Sequence, residues 1–330
     1  MTASRPIRVA LDAMGGDFAP KETVQGAVAA ANANLEIILY GDAACIAAEL
    51  SRLPPNHSVQ VVATTQDVAM GENPVEAFRK KPDSSLRRAV EAVQSGAAQA
   101  MVSAGNTGAA MTAAFLTLGV VEGIQRPAIA ITLPTTVGRA LLIDAGANVD
   151  CSAENLVQFA LMGAIYVHAA WGLSTPRVGL LNIGEESSKG NILSKQAHDR
   201  LQSLSLDFVG NVEARGLFAG DADVIVCDGF AGNVLLKASE GVAEMIGSAM
   251  RDLAPEIGEE TVRLVRHKLR RKMDYAVYGG APLLGLNGAC FIAHGRSNAD
   301  AITSALQMAE QSVVSDFVTQ IQQRMKESHG

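Results

Sequence analysis

Short apolar runs alternate along this chain with longer stretches rich in alanine and polar residues. The runs with strand character lie at 7–11, 35–40, 59–63, 100–102, 128–133, 140–143, 178–181 and 224–227. Helix-like stretches separate most of them, which predicts an α/β fold with parallel strands and crossover helices. The two runs within 128–143 flank a turn at 134–138 and predict an antiparallel pair. After Val234 we expect mostly helix, ending in a long polar helix from about Ala299 to Lys326.

Five of the apolar runs stop at a short turn of Gly, Asn, Asp or Ser, and a small-residue stretch follows. These turns are 12–17, 103–108, 144–148, 182–189 and 228–233. In an open α/β sheet such turns collect at the carboxyl ends of the strands, where ligands bind. Glycine permits close backbone approach, and N–H groups at helix starts favour anions. The pattern indicates a ligand that carries a phosphate or an acyl group.

Composition narrows the class of protein. The 330 residues, 48% hydrophobic and 18% charged, can bury a large core in one α/β domain or two lobes. Four scattered cysteines without CxxC favour a reducing cytoplasm over a disulfide frame or a zinc site. A net charge of −7 disfavours nucleic acid as the main partner. The uncharged stretches 96–121 and 155–176 have the length of membrane spans, but a Gly-Asn-Thr-Gly turn and His168 favour strand-turn-helix and buried-helix interpretations.

Candidate site residues lie in the turns. Asp12, Gly15 and Gly16 follow the first run, where a ligand crevice and a capped tight turn are equally good interpretations. The turn 103–108 offers hydroxyl, amide and backbone donors for phosphate oxygens or an oxyanion, with a helix cap as the alternative. Its candidates are Ser103, Asn106, Thr107 and Gly108.

Cations and a histidine complete the set. Lys189 can neutralise a phosphate dianion, although a loop lysine is commonly only solvated. Asn233 opens the helix after the most apolar run. In the cluster 294–298, Arg296 suits bidentate phosphate contact and His294 can move a proton.

Several signatures are missing from the sequence. It has no GxGxxG, Walker A, HExxH or GxSxG. We therefore expect no NAD, ATP or zinc, no serine nucleophile, and neither a cofactor nor a metal.

Eight motifs taken together resemble one family. In order they are ALDAMGGD, SAGNTGA, DAGANVD, LNIGEESSKGN, NVEARGLF, GDADVIVCDGFAGNVLLK, GGAPLLGLNG and HGRSNADAI. They resemble the bacterial acyl-ACP:phosphate acyltransferase (PlsX) family over about 7–309. The resemblance implies a single phosphate acyltransferase domain over 6–330, which can be two-lobed, with a three-layer doubly wound α/β/α sheet like those of phosphotransacetylases and isopropylmalate-type dehydrogenases.

The resemblance also implies an activity. A family member converts long-chain acyl-ACP and inorganic phosphate into acyl phosphate and free acyl carrier protein, and a membrane glycerol-3-phosphate acyltransferase then uses the acyl phosphate for phospholipid synthesis. It is homodimeric, cytoplasmic and peripherally associated with membrane. On this basis Lys189 and Arg296 hold phosphate, Ser103, Asn106 and Asn233 contact phosphate or the oxyanion, and His294 is a candidate acid for the leaving thiolate.

A basic amphipathic helix is expected at about 253–278. Apolar residues recur at helical spacing from Val262 to Ala276, and the cations occupy the other faces. Such a helix can dock acidic carrier protein or anionic lipid, with a solvated helix packed on the core as the alternative. The cations are Arg263, Arg266, Lys268, Arg270, Arg271 and Lys272.

Three rival functions stay open at this point. The first is a phosphate acyltransferase that uses acyl-CoA. The second is a metal-dependent decarboxylating dehydrogenase, suggested by Asp12, Asp144 and Asp228 near strand ends. The third is a non-enzymatic scaffold that binds carrier protein at the membrane.

Overall fold

The structure is a computed structural model that describes residues 6–273 and 279–329. Its strands are β1 (Ile7–Asp12), β2 (Leu35–Gly41), β3 (Val59–Ala63), β4 (Ala100–Ser103), β5 (Ala128–Thr135), β6 (Gly138–Ile143), β7 (Arg177–Leu181), β8 (Asp207–Val212), β9 (Val224–Val226), β10 (Ala281–Leu284) and β11 (Ala289–Ile292). Its helices are α1 (Lys21–Ala30), α2 (Ala43–Leu50), α3 (Pro74–Lys80), α4 (Ser85–Gln94), α5 (Thr107–Leu118), α6 (Ala153–Trp171), α7 (Ile192–Gln202), α8 (Ala214–Ala219), α9 (Gly229–Asp252), α10 (Ala254–Ile257), α11 (Glu259–Met273), α12 (Ala299–Ser315) and α13 (Phe317–His329).

The chain forms two compact units. Of the described residues, 6–127, 169–172 and 279–329 form unit 1, and 128–168 and 173–273 form unit 2. The strands of unit 1 lie in the order β3-β2-β1-β4-β11-β10, parallel except that β10 is antiparallel to β11. Those of unit 2 lie in the order β5-β6-β9-β7-β8, parallel except that β5 is antiparallel to β6. The predicted α/β class is confirmed, and so is the antiparallel pair, which turns between Thr135 and Gly138.

Three strands were not predicted from the sequence. β10 and β11 are four residues each and stand in a glycine-rich segment that we expected to be helical. All four residues of β11 are buried between neighbours, so tertiary pairing decides their conformation. β8 is an edge strand whose apolar residues are interrupted by Gly210 and Asn211, which weakens its apolar signal.

The predicted long C-terminal helix is wrong in one respect, because it is two helices. Asp316 stands between α12 and α13 with φ of 51°, in the left-handed region that aspartate tolerates better than most residues. The break turns the chain so that Phe317, Ile321 and Met325 are all at most 2% exposed. Burial of that apolar face stabilises the change of direction.

Polar caps define where many of the helices begin. In each case a side-chain oxygen accepts a backbone N–H of the first turn, which satisfies a donor that has no partner inside the helix. The capping residues are Asp42, Asn73, Ser84, Asn106, Asn191, Asp228 and Asn298. Four of these caps, Asp42, Asn106, Asp228 and Asn298, follow a strand directly or after a short turn, so they mark where those loops end and the next helix begins.

The two long uncharged stretches have ordinary positions in the fold. The stretch 96–121 holds β4, a turn and α5, and 155–176 lies mainly in α6, whose residues are largely buried. Over the described residues, no helix combines the length and the apolarity needed to cross a membrane.

Candidate functional site

The strand order of unit 1 reverses direction between β1 and β4. From β1 the chain proceeds to β2 and β3 on one side, whereas β4 pairs on the other side. Such a change of direction leaves an opening at the carboxyl ends of the two strands, where ligands bind in open α/β sheets. Those ends are Asp12 and Ser103, which pair in register.

Asp12 and Ser103 are joined by a buried hydrogen bond. The Ser103 hydroxyl donates to Oδ2 of Asp12 over 2.7 Å, and both residues are at most 2% exposed. The same hydroxyl oxygen accepts the N–H of Gly105 at 3.1 Å. A β-carbon on Gly15 would stand 2.5 Å from that carboxylate oxygen and 2.8 Å from the nitrogen of Gly105, so this approach requires glycine.

The carboxyl of Asp12 has an unusual environment. Burial raises the pKa of Asp12, while hydrogen bonds from Ser85 and Ser103 and from the backbone of Met14 oppose that rise. Since the Ser103 proton is directed to Asp12, the hydroxyl is engaged within the protein. Ser103 therefore stabilises the 103–108 turn through its side chain. Any ligand at this turn would be bound by backbone N–H groups rather than by the Ser103 hydroxyl.

Asn106 serves two structural purposes. Its Oδ1 accepts the N–H of Ala109 at 3.0 Å and so caps α5. Its Nδ2 donates to the carbonyls of Met70 at 2.9 Å and Glu72 at 3.0 Å, which fixes the segment in front of α3. The cap expected as the alternative for this turn is thus present. Thr107 and Gly108 form the first two positions of α5, and Thr107 is exposed.

The cluster 294–298 lies beside these turns. Because Ile292 of β11 pairs with Ser103, the chain after β11 leaves the sheet next to the 103–108 turn, and Ala293 donates to the Ser103 carbonyl at 2.8 Å. Asp17 donates its N–H to the carbonyl of Gly295 at 2.8 Å. Backbone hydrogen bonds therefore connect the turn that follows β11 to those that follow β1 and β4.

His294 and Arg296 are both exposed on this linked edge. The backbone N–H of Arg296 donates to Nδ1 of His294 at 3.1 Å, so the proton of the neutral imidazole is on Nε2. Unit 1 thus brings together most of the predicted residues. They are Asp12, Gly15, Gly16, Ser103, Asn106, Thr107, Gly108, His294 and Arg296.

Unit 2 has its own aspartate at the end of a buried strand. Asp144 accepts five hydrogen bonds, four of them from backbone N–H groups of Ile129, Gly146, Ala147 and Asn148. The fifth comes from Nδ2 of Asn148 at 2.9 Å. Burial raises the pKa of Asp144, and hydrogen bonds from Ala147, Asn148 and Ile129 oppose that rise. The Asp144 carboxylate therefore stabilises the turn that directly follows it in the chain.

The start of α9 packs directly on that turn. Gly229 donates its N–H to the carbonyl of Asn148 at 2.7 Å, and a β-carbon on Gly232 would overlap the carbonyl oxygen of Asp144. Two glycines are therefore needed for the contact between helix and turn. Asn233 is exposed beside Gly146. Lys237, one turn further along the helix, pairs with Glu240 at 2.8 Å.

Lys189 is exposed on the loop after β7. The loop is closed at its base, since Nδ2 of Asn182 donates to the carbonyl of Lys189 at 3.3 Å. Lys189 and Asn233 follow β7 and β9, which are adjacent parallel strands, so both lie at the carboxyl edge of the unit 2 sheet. The predicted site residues thus form two groups, one in each unit.

The basic segment falls on α11. Val262 is 4% exposed and Arg263 and Lys268 are exposed, with Arg263 at 3.7 Å from Glu260. The side chains of Arg266, Leu269, Arg270, Arg271, Lys272 and Met273, and all of Ala276, lie outside the described residues.

Possible metal ligands and thiols are the remaining reactive groups in the part of the chain that the structure describes. No group of three or more His, Cys, Asp or Glu there could hold a metal ion. Cys227 and Cys290 are buried, and burial raises the pKa of Cys290 to about 12 and that of Cys227 well above its ordinary value. Such thiols stay protonated and unreactive.

Sequence reasoning missed two residues that hold the Lys189 loop. Asn182 closes its base, and Nδ2 of Asn211 donates to the Glu186 carbonyl at 2.8 Å. Both stand in motifs quoted above, but no function had been assigned to either. The signal that was available is an asparagine directly after or within a strand beside glycine.

Comparisons with known proteins agree with this architecture. The profile of a family described as fatty acid synthesis protein matches residues 7–320. A phosphate acyltransferase from Desulforamulus reducens is 46% identical over 329 residues, covering 98% of this chain and 99% of the relative. One from Myxococcus xanthus is 47% identical over 326 residues, covering 94% and 92%.

Solved structures show the same fold at low identity. A phosphotransacetylase from Streptococcus pyogenes has a TM-score of 0.64 at 17% identity, covering 94% of this chain and 95% of its own. A 4-hydroxythreonine-4-phosphate dehydrogenase from Klebsiella pneumoniae has a TM-score of 0.57 at 14% identity, covering 94% and 98%. Both likenesses support the predicted fold class.

Proposed function

This chain belongs to the fatty acid synthesis protein family of phosphate acyltransferases, and from that premise we propose that it transfers a long-chain acyl group from acyl carrier protein to inorganic phosphate. The products are acyl phosphate and free carrier protein, and the reaction is reversible. The acyl phosphate supplies a membrane glycerol-3-phosphate acyltransferase in phospholipid synthesis. The proposal includes one acyltransferase domain over 6–330, a homodimer, and a cytoplasmic enzyme that contacts anionic membrane peripherally.

The observation that carries the proposal is the set of three linked turns at the carboxyl edge of unit 1. The turn that carries Arg296 is hydrogen-bonded to the turns after β1 and β4, and the turn after β4 leads into α5, so Arg296 and the start of α5 stand on one linked edge. Helix starts and guanidinium groups are preferred phosphate ligands. We assign phosphate binding to Arg296 and to the backbone of Thr107 and Gly108, with Asp12, Gly15, Gly16, Ser103 and Asn106 shaping the turns.

The chemistry is a direct displacement. An oxygen of hydrogen phosphate attacks the thioester carbonyl, a C–O bond forms, and the C–S bond breaks. The phosphate proton passes to the departing pantetheine thiolate, so no oxidant or cofactor is consumed. Ser103 is fully buried and donates to Asp12, and the thiols of Cys227 and Cys290 are buried, so none of the three is suited to form a covalent acyl intermediate.

Charge neutralisation and orientation are then the catalytic requirements. Lys189 is proposed to neutralise the phosphate dianion or the oxyanion, and Asn233 to donate a hydrogen bond to the same charge. Both side chains are exposed at the carboxyl edge of unit 2. His294 is proposed as a proton carrier for the thiolate, a minor contribution because a thiol with a pKa of about 8.5 leaves readily.

The basic helix α11 is proposed as the docking surface for acidic carrier protein or anionic lipid. Arg263 and Lys268 are its exposed cations among the side chains that the structure describes, and the buried Val262 anchors the helix. Arg266, Arg270, Arg271 and Lys272 enter this proposal from the sequence alone. Reversing the charges at Arg263 and Lys268 should raise the KM for acyl carrier protein and reduce sedimentation with anionic vesicles. Unchanged values in both assays would contradict it.

The deciding experiment measures release of the carrier-protein thiol from palmitoyl-ACP, with and without inorganic phosphate, beside a palmitoyl-CoA control. Phosphate-dependent release from palmitoyl-ACP alone is the expected result. Release from palmitoyl-CoA would instead support an acyl-CoA-dependent enzyme. Carrier-protein binding without any turnover would support the scaffold function.

A further inference from the structure

The loop that carries Lys189 has a closed base. Oδ1 of Asn182 accepts the N–H of Ile183 at 2.9 Å, and its Nδ2 reaches the carbonyl of Lys189 at 3.3 Å. Gly190 has φ of 92°, and a β-carbon there would meet the side chains of Asn182 and Ser194. The two ends of the loop are therefore held together. These contacts do not hold the middle of the loop.

The middle of the loop is anchored through one carbonyl. The oxygen of Glu186 accepts the N–H of Lys189 at 3.0 Å and also Nδ2 of Asn211 at 2.8 Å. Asn211 is 6% exposed and stands in β8, next to the strand from which the loop emerges. A buried amide on a neighbouring strand thus contacts the same atom that turns the backbone into Lys189.

An irregularity in β8 directs Asn211 towards the loop. The register shifts between Val178 and Gly179, because Phe208 and Gly210 pair with these two consecutive residues and Val209 is extra. Gly210 has φ of 95°, in the left-handed region that glycine adopts readily at a bulge. A bulge re-aims the side chains that follow it, and Asn211 is the first of these.

The oxygen of the Asn211 amide, unlike its nitrogen, does not contact the loop. Among the described residues nothing donates a hydrogen bond to Oδ1 of Asn211. A buried acceptor without a partner destabilises the fold, so an apolar residue of similar size would be better for stability alone. The donor half of the side chain accounts for an asparagine at this position.

A second contact to the loop is too exposed to replace the first. Arg215 lies 3.8 Å from Glu185 and 2.6 Å from Glu213, but its side chain is 80% exposed. Ion pairs of this kind contribute little because water screens them.

We infer that Asn211 is a positioning residue, which acts through the Glu186 carbonyl to hold Lys189 in its working orientation. The inference rests on the proposed function of Lys189. It predicts that loss of the Asn211 donor impairs catalysis only while Lys189 is present.

The test is a double-mutant cycle with Asn211→Leu and Lys189→Met, with kcat and the phosphate KM measured for phosphate-dependent thiol release. Asn211→Leu should lower kcat/KM about tenfold in the native background and by less than about twofold in Lys189→Met. Equal losses in the two backgrounds, or none in either, would overturn the inference. Asn211→Asp, which keeps the size but lacks the donor, serves if the leucine variant does not fold.

A measurement without turnover separates this inference from the proposed function. Hydrogen exchange of the peptide covering 182–191 should accelerate about fivefold in Asn211→Leu, as expected for one lost hydrogen bond. Arg177→Met is the matched control. Arg177 forms a hydrogen bond and an ion pair with Asp223 at the amino end of β7, away from the loop. Unchanged loop exchange in Asn211→Leu would reject the anchor. Faster exchange in a protein with no phosphate-dependent activity would instead reject the proposed function while the anchor stands.

Discussion

The carboxyl edges of the two sheets each hold a buried aspartate, and the two aspartates obtain their hydrogen-bond donors in different ways. Asp12 ends β1 in unit 1 and Asp144 directly follows β6 in unit 2; each comes after a run of buried apolar residues and precedes a glycine-containing turn. Asp144 accepts five N–H donors, most of them from its own turn, whereas Asp12 accepts the hydroxyl of Ser103 from another strand. The same sequence signal therefore builds a self-contained turn in unit 2 and a connection between two turns in unit 1. Changes at the unit 2 edge should affect folding first, and changes at the unit 1 edge should affect catalysis first.

Gly232→Ala should have the largest effect and act on stability. The added β-carbon would overlap the carbonyl oxygen of Asp144, and neither the turn with its five hydrogen bonds nor the helix can yield easily. We expect a loss of about 3 kcal/mol or more in the free energy of unfolding. Urea unfolding followed by circular dichroism measures it.

The matched control is Gly241→Ala in the same helix. Nothing lies within 4 Å of a β-carbon there, so this variant should be more stable by about 0.5–1 kcal/mol. If the two alanine variants unfold at the same urea concentration, the close contact between α9 and the Asp144 turn does not hold.

Gly15→Ala is the corresponding change in unit 1 and should act on catalysis. Its β-carbon would clash with Oδ2 of Asp12 and the nitrogen of Gly105. The clash should displace the Asp12 carboxylate from Ser103 and move the 103–108 turn, to which we assign phosphate binding. We expect kcat/KM for phosphate to fall by about 30-fold, with a smaller loss of stability than in Gly232→Ala. Steady-state kinetics over a phosphate series measures it.

Gly71→Ala provides the comparison within the same unit, because a β-carbon there meets nothing within 4 Å. It should keep the native kcat/KM. A Gly15→Ala enzyme with native phosphate kinetics would show that the linked turns of unit 1 do not bind the substrate.

The sequence predicted the scaffold well for physical reasons that particular residues illustrate. β1, β2 and β6 each contain a run of buried aliphatic residues, and Asp42, Ser84 and Asn298 mark helix starts by their own side chains. The family resemblance read from eight motifs is confirmed, because those motifs combine such local signals in a fixed order. Structure determined by neighbouring residues was largely recoverable.

What depended on distant contacts was not. β11 is four residues long and becomes a strand because it lies between β4 and β10. The oxygens that accept hydrogen bonds from the Ser103 hydroxyl and the Asn106 amide lie 91 and 34–36 residues away in the chain. From the sequence both groups therefore looked free to bind a ligand. Asn211 owes its orientation to a bulge that no local pattern announces.

Asp12→Asn should change how the free energy of unfolding depends on pH. Burial raises the folded-state pKa of Asp12 above 3.8, so the ionised carboxyl is disfavoured by folding. Its contribution is fully present at low pH, where the carboxyl is protonated in both states, and is lost as the pH rises from about 3.8 towards the folded pKa. The difference in unfolding free energy between Asp12→Asn and the native protein should therefore shift in favour of the variant with rising pH. Urea titrations at several pH values test this, and a shift in the opposite direction would mean that hydrogen bonds outweigh burial.

The smallest effect is expected at His294, where two substitutions separate proton transfer from positioning. His294→Asn keeps an acceptor near the place of Nδ1 for the N–H of Arg296, whereas His294→Leu removes it. Because the thiolate leaving group has a pKa of about 8.5 and needs little help, the asparagine variant should lose no more than about threefold in kcat. The leucine variant should in addition raise the phosphate KM by about fivefold, since one hydrogen bond that orders the turn of Arg296 is lost. Steady-state kinetics over a phosphate series distinguish these outcomes. A loss in kcat above about a hundredfold in His294→Asn would instead identify His294 as an essential acid and bring catalytic chemistry to an edge that we assign to binding.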